Sequence, residues 1–269
     1  MQNIDFHLNN ILRNYNNLIK ICGFLDAKEF EKYKVYLEEK YNSYIKSYIT
    51  IFNPSKEIKE DMTYFADVRT LAKYNEDIIS GWLVEDFFIY IFNLPIFQEH
   101  KFLFKIESHD ADRIIKKERT FINSDPDFII SHNNLEFKVE VQSLLIPYGK
   151  FHIKKNKADR LSNMTSFLYS LLLINQEIIF FYPDDIKTYG LLTKIKAFGG
   201  KDGYEYIINS LPKKKKLQVH KLDLKLIITL YWFYFYKKLG KEEFYKFQSE
   251  LLNGCKSIDD LIKRLKNTK

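Results

Sequence analysis

The sequence has few of the residues that mark fibrous, disulfide-bonded or zinc-binding proteins. Its 269 residues include only 9 glycines, 6 prolines and 2 cysteines. The low glycine and proline content excludes collagen-like and low-complexity chains. The cysteines, Cys22 and Cys255, form neither a CxxC motif nor a metal-ligand spacing. Zinc sites and disulfide scaffolds are therefore excluded as well.

Long apolar runs are also missing. No stretch of 18 apolar residues occurs, and the first residues do not show a charged segment followed by an apolar one. We therefore expect a cytoplasmic protein with no membrane partner. The most apolar stretch, from Leu226 to Tyr236, is too short to span a bilayer. Such a stretch is typical of a buried helix or a self-association surface.

The sequence does contain enough apolar residues for a core, together with an excess of positive charge. Hydrophobic residues make up 46% of the chain and aromatic residues 16%, which suits one large domain. The formal net charge is +7. A basic surface predicts an acidic partner, and nucleic acid is the commonest such partner.

Periodicity divides the chain into three regions. Apolar residues at helical spacing predict helices over residues 1–65 and again over 213–269. Between them, residues 66–212 mix helical and alternating patterns, which predicts an α/β core. We expect this core to contain helices from Tyr74 to Asn93 and from Lys157 to Ile174, strands at Phe102–Ile106, Asp127–Ser131, Leu135–Ser143 and Glu177–Tyr182, and a glycine-rich turn at Gly199–Tyr204.

One predicted hairpin brings two carboxylates together. Asn133-Asn134 suits a two-residue turn, because asparagine tolerates positive φ. With that turn, the numbers of opposed residues sum to 267, which places Asp127 opposite Glu140. Gln142 points to the same face two residues further along the strand.

Directly opposed carboxylates destabilise a hairpin unless a positive charge lies between them. A divalent metal would supply it, and oxygen ligands suit Mg²⁺. The alternative is an edge hairpin with a solvated polar face. Two other residues favour the metal site. Glu85 lies on the apolar stripe of the preceding helix, and Lys157 lies one turn before Leu161 on the stripe of the following helix. Glu85 either makes a hydrogen bond in the core or reaches the cluster, and Lys157 either extends to solvent or does the same.

Pro126-Asp127, followed after twelve residues by Glu140-Val141-Gln142, resembles the motif of the PD-(D/E)xK nuclease superfamily. This superfamily includes type II restriction endonucleases and archaeal Holliday-junction resolvases. The resemblance extends over roughly Ile78 to Tyr182 and includes the basic segment from Phe151 to Leu161. It implies a restriction-endonuclease-like α/β core, with a mixed central sheet flanked by helices and with helical N- and C-terminal additions.

The resemblance also implies roles for individual residues. Mg²⁺, or Mn²⁺ in its place, would be bound by Asp127 and Glu140 with support from Glu85. Lys157 would orient or help deprotonate the attacking water, and Gln142 would position that water. Contacts with DNA phosphates are expected from Lys154, Lys155, Arg160 and Lys201.

One position departs from the family pattern, because Gln142 stands where the family carries lysine. Resolvases often carry glutamine at the helix position that Lys157 matches, so the two residue types look exchanged. An alternative interpretation takes Glu136 and Lys138 as the acid and the lysine. Its geometry is worse, because Glu136 lies about 13 Å along the strand from the residue opposite Asp127.

The first hypothesis is therefore a Mg²⁺-dependent endonuclease that hydrolyses double-stranded DNA, in the form of a homodimeric type II restriction enzyme. The length of the chain beyond a minimal resolvase favours restriction. One alternative is a structure-selective nuclease of recombination or repair, similar to the Holliday-junction resolvases. The other is a catalytically inactive DNA-binding relative, which Gln142 keeps open.

Overall fold

The computed structural model describes residues 4–22, 25–52, 70–94, 105–108, 113, 115, 127–132, 135–144, 151–162, 166–172, 177–181, 186–188, 190–196, 202–208 and 216–218. The side chain of Gln142, the residue Lys201 and the predicted helices beyond residue 218 lie outside this description.

Three long helices come first in the chain. They are α1 (Ile4–Ile21), α2 (Ala27–Ile51) and α3 (Leu71–Phe92). Side-chain caps fix two of their N-termini. The Asp26 carboxylate accepts a hydrogen bond from the backbone N–H of Glu29 at 2.9 Å, and the Thr70 hydroxyl accepts one from the backbone N–H of Lys73 at 3.2 Å. Each cap satisfies an amide that has no partner within its helix, so the helices begin at these residues.

Helix α3 is the central element and is buried on almost every side. Ile79 and Leu83 are fully buried, whereas Ile78 and Ile89 are half-buried. The buried surface of α3 is therefore wider than the single apolar stripe on which the sequence places Glu85. The reason is that α1, α2 and β3 all pack against α3.

Hydrogen bonds between polar side chains and neighbouring helices tie α1 and α2 to α3. The Tyr48 hydroxyl donates to the backbone carbonyl of Ala72 at 3.2 Å, and the Asn14 amide donates to the Ser80 hydroxyl at 2.8 Å. The helices predicted as a separate region before residue 65 thus share one core with the helix that begins the predicted α/β region.

The rest of the described chain includes nine strands and one further helix of more than one turn. They are β1 (Lys105–Ser108), β2 (Phe128–His132), β3 (Leu135–Leu144), β4 (Phe151–Lys154), α4 (Lys155–Ser162), β5 (Ser166–Leu172), β6 (Glu177–Phe181), β7 (Leu191–Lys196), β8 (Asp202–Ile208) and β9 (Lys216–Gln218).

These strands form two sheets. The larger has the order β1-β2-β3-β5-β6-β9 and is mixed, because β3 and β5 are parallel while the other neighbours are antiparallel. The smaller is antiparallel with the order β4-β8-β7. Since β4 belongs to the smaller sheet and runs directly into α4, this sheet lies beside the helix that carries Lys157.

The β2–β3 hairpin has the predicted register. Phe128 lies opposite Val139, Ile130 opposite Phe137, and His132 opposite Leu135. Each pair of numbers sums to 267, so the ladder is the one that a two-residue Asn133-Asn134 turn predicts. The register fixes which residues of β3 can lie near Asp127.

Two predicted helices are wrong in part. The helix expected from Lys157 to Ile174 ends at Ser162, and Ser166–Leu172 instead forms β5. Short apolar runs fit a buried strand as well as a helix, so periodicity could not separate the two. The prediction that the chain is helical from residue 213 onward is wrong for Lys216–Gln218, because this segment is a strand that pairs with β6 and extends the sheet.

Among the helices that the structure describes, none is both long enough and apolar enough to cross a membrane.

Candidate metal-dependent catalytic site

Glu140 lies at the centre of the candidate site. It occupies the middle of β3, beside Leu168 of the parallel strand β5, and only 2% of its surface is exposed. One carboxylate oxygen, Oε1, contacts the ammonium of Lys157. The other, Oε2, is buried without a hydrogen-bond partner among the residues that the structure describes. A buried carboxylate oxygen without a partner is costly, so its presence here calls for a ligand or a cation.

Lys157 reaches this carboxylate from the first turn of α4. The helix begins at Lys155, directly after β4, and the Lys157 side chain is 28% exposed. Of the two alternatives that the sequence left open, extension to solvent or contact with the carboxylates, the structure has the second. Sequence spacing placed this lysine correctly even though the helix that carries it is shorter than predicted.

Asp127 lies in the bend that precedes β2. Its carboxylate oxygen Oδ2 accepts a hydrogen bond from the backbone N–H of Val141 at 2.6 Å. The observed ladder ends at Phe128, so Asp127 is not a paired strand residue as the sequence predicted. Its side chain instead binds the amide next to Glu140, which keeps the two carboxylates adjacent.

The pKa values of the site reflect crowded negative charge. Burial raises the pKa of Glu140 well above its usual value, and the neighbouring charge of Asp127 raises it further, although Lys157 opposes the shift and Glu85 adds to it. Burial alone would lower the pKa of Lys157, but attraction to Glu140 and Asp127 outweighs burial and raises that pKa. The ammonium is therefore held in its charged form while the carboxylates around it repel one another.

Glu85, on α3, adds to the negative charge around this pair, because it raises the pKa values of both Glu140 and Lys157. Its Oε2 atom accepts a hydrogen bond from the guanidinium of Arg113 at 3.2 Å. The adjacent Asp86 also pairs with Arg113 and accepts a hydrogen bond from the Tyr44 hydroxyl at 2.8 Å.

The sequence analysis missed Arg113. A signal for it exists, because the pair Glu85-Asp86 interrupts an apolar helix, and two adjacent buried carboxylates require a cationic partner. The sequence does not say which cation fills that role, since Arg113 lies between β1 and β2 and far from the pair along the chain.

The cluster is rich in carboxylates. Within the part of the chain that the structure describes, four carboxylates (Glu85, Asp86, Asp127 and Glu140) are linked by contact or by field to Arg113 and Lys157. This crowding of carboxylates and the partnerless Oε2 atom of Glu140 both fit a metal ion.

A preformed cage of three or more acidic, histidine or cysteine ligands is absent from the described residues. Mg²⁺ does not require one, because it commonly binds one or two carboxylates and completes its shell with water and phosphate oxygens. Asp127 and Glu140 match that donor set. Glu85 is instead held by Arg113 in this structure.

The other predicted residues are placed as follows. Gln142 lies on β3 beside Ser170 of β5. In the alternative interpretation, Glu136 lies opposite Ser131 and Lys138 opposite Ile129, so Glu136 is four residues from Glu140 along β3.

The predicted phosphate contacts lie around the start of α4. Lys154 is exposed, and Arg160 is half-buried. Lys155 pairs with Asp159 at 2.5 Å, and Lys187, which the sequence analysis did not single out, pairs with the same carboxylate at 3.3 Å. Asp159 thus pairs with two lysines, one at the start of α4 and one outside that helix.

Comparison of the chain with protein-family models, with curated proteins and with solved structures finds no match.

Proposed function

We propose that this chain is a metal-dependent endonuclease that hydrolyses phosphodiester bonds in double-stranded DNA and belongs to the PD-(D/E)xK superfamily. The observation that carries the proposal is the meeting of Glu140, Asp127 and Lys157 at one point, with a buried carboxylate oxygen left without a partner. Two acids and one ammonium are what metal-assisted hydrolysis of a phosphodiester needs.

In this proposal Asp127 and Glu140 hold the metal, with Mg²⁺ as the natural ion and Mn²⁺ as a substitute. When bound, the ion lowers the pKa of a water molecule and neutralises charge on the scissile phosphate. The hydrogen bond from the Val141 amide orients Asp127. Lys157 orients the attacking water and stabilises charge on the phosphate, and Gln142 would help to position that water from β3, the strand that carries Glu140.

The restriction-endonuclease-like fold is part of the same proposal. The mixed sheet supports it, because the hairpin that carries both acids is joined to a parallel strand through the helix that carries the lysine. The small β4-β8-β7 sheet adjoins that helix and supplies an added surface for reading bases. This addition favours a type II restriction enzyme over a resolvase, and a cytoplasmic homodimer is proposed with it.

DNA contact is proposed for the surface around α4. Lys154, Lys155, Arg160 and Lys187 lie on elements adjoining the catalytic lysine. The overall charge of +7 supports electrostatic attraction to phosphates.

A panel of substrates tests the proposal. The protein is incubated with Mg²⁺ and either supercoiled plasmid, long linear DNA of mixed sequence, or a synthetic four-way junction. Discrete fragments from linear DNA indicate restriction activity, whereas selective cutting of the junction indicates a resolvase. Tight DNA binding without cleavage of any substrate would indicate an inactive relative. The absence of both binding and cleavage would refute a role on DNA.

A further inference from the structure

Arg113 joins three parts of the molecule at the edge of the candidate site. Its guanidinium donates hydrogen bonds to the Tyr44 hydroxyl of α2 at 2.5 Å, to the Trp82 carbonyl of α3 at 3.4 Å and to the Glu85 carboxylate at 3.2 Å, and it pairs with Asp86. The side chain is only 13% exposed. An arginine buried to this extent, with carboxylate, hydroxyl and carbonyl partners, has a fixed position.

We propose that Arg113 is a positioning residue of the nuclease centre, which holds the Glu85 carboxylate in one orientation and neutralises one negative charge beside the metal ligands. This inference rests on the proposed function. It assigns a role to a residue whose contacts in the described part of the chain are with Tyr44, Trp82, Glu85 and Asp86 rather than with the two proposed metal ligands.

Arg113 would have this role because it keeps Glu85 from competing with Glu140 for the ammonium of Lys157. Helix α3, which carries Glu85, packs against β3, which carries Glu140, and Glu85 also affects the pKa values of both Glu140 and Lys157. Without Arg113, the Glu85 carboxylate could turn toward the ammonium and compete with Glu140 for it. The cluster would also lose one positive charge. The metal would then bind more tightly while the chemical step became slower.

The test measures metal binding apart from catalysis. The affinity for Mn²⁺ is obtained without DNA, from the electron paramagnetic resonance signal of the free ion. Single-turnover cleavage with Mg²⁺ then gives the rate constant and the apparent KM for DNA. The variants are Arg113→Met, Arg113→Lys, Glu85→Gln and the double variant Arg113→Met with Glu85→Gln.

Lys73→Met is the matched control. Lys73 is a residue of α3 and, like Arg113, it pairs with two carboxylates of that helix, those of Glu76 at 2.7 Å and Asp77 at 2.8 Å. It is 12 residues before Glu85 in α3, about 18 Å along the helix, which exceeds the screening length of about 8 Å at physiological salt. The control therefore removes one positive charge from the helix that carries Glu85 without changing the electrostatic field at the candidate site.

We expect Arg113→Met to tighten Mn²⁺ binding by about three- to tenfold and Glu85→Gln to weaken it by a similar factor, because each changes the local charge by one unit. The double variant restores the charge and should bind Mn²⁺ with an affinity near that of the wild type. Arg113→Lys keeps the charge but cannot bridge two carboxylates. It should leave Mn²⁺ affinity and KM unchanged while reducing the rate constant by about tenfold.

Each outcome bears on the proposal. If the double variant binds Mn²⁺ as weakly as Glu85→Gln, Glu85 is a direct ligand and the positioning role is refuted. If the Arg113 variants match Lys73→Met in affinity and rate, the inference fails while the nuclease proposal stands. If the wild type neither binds Mn²⁺ nor cleaves DNA, both fail. Should Arg113→Met not fold, Arg113→Lys and Glu85→Gln still decide the question.

Discussion

The ammonium of Lys157 lies against carboxylate oxygen Oε1 of Glu140, which joins the first turn of α4 to the middle of β3. This ion pair is nearly buried on the carboxylate side, and it leaves the second oxygen of Glu140 without a partner in the described residues. A purely structural ion pair would be expected to satisfy both oxygens. The arrangement therefore supports the proposed site, in which Lys157 and a metal ion would share one carboxylate.

Removal of either acid should abolish cleavage. Glu140→Gln and Asp127→Asn preserve side-chain size but remove a metal ligand, so the single-turnover rate should fall by a factor on the order of 10³ or more. DNA affinity, measured without metal by fluorescence anisotropy, should change little because the lysines proposed to contact phosphates are intact. Glu136→Gln is the matched control on the same strand and should retain activity. Loss of activity in Glu136→Gln with retention in Glu140→Gln would favour the alternative motif.

Lys157→Ala should slow the chemical step by a factor on the order of 10² to 10⁴, the usual effect of one positioned ammonium or proton-transfer group. The KM for DNA should barely change. Lys154→Ala, three residues earlier, should instead weaken binding with little effect on the single-turnover rate. A near-normal rate for Lys157→Ala together with a collapse for Lys138→Ala would return the catalytic lysine to the strand.

Much of this site could be predicted from the sequence. A two-residue turn at Asn133-Asn134 predicts the hairpin register that the flanking strands show, and this register brings Glu140 rather than Glu136 beside Asp127. The contact of Lys157 with Glu140 also follows the sequence prediction. These features depend on local spacing and on strand alternation, which a sequence displays directly.

Other features could not be predicted because they depend on long-range packing. Ser166–Leu172 is apolar enough for a helix or a strand, and its pairing with β3 decides the matter. Arg113 finds Glu85 and Asp86 only because the chain returns to α3 after β1. The burial of α3 on almost every side likewise depends on α1 and α2. The spacing of apolar residues in the sequence does not show that these two helices pack against α3.

Metal should stabilise the wild type and not the variants that lack a ligand. With Mg²⁺ at about 100 times its dissociation constant, the free energy of unfolding should increase by about 2.7 kcal/mol. Glu140→Gln should show no such increase. In EDTA, however, Glu140→Gln should be more stable than the wild type by about 1 kcal/mol, because it relieves the repulsion among buried carboxylates. Thermal unfolding with and without Mg²⁺ checks both points, and equal stabilisation of the two proteins would place the metal elsewhere.

Asp159→Asn should strengthen binding to DNA of any sequence. The substitution removes a negative charge and frees Lys155 and Lys187 from their shared carboxylate. The slope of log affinity against log salt should steepen by roughly 0.9 for each additional phosphate contact. Titration at several salt concentrations measures this slope. An unchanged slope and affinity would remove this side of α4 from the DNA interface.

The most direct test of the central claim is cleavage of long double-stranded DNA by purified protein with Mg²⁺, compared with EDTA and with Glu140→Gln. We predict discrete fragments from the wild type with Mg²⁺, and intact DNA both in EDTA and with the variant. Intact DNA in all three reactions, or equal cleavage by the wild type and Glu140→Gln, would contradict a metal-dependent nuclease centred on Glu140.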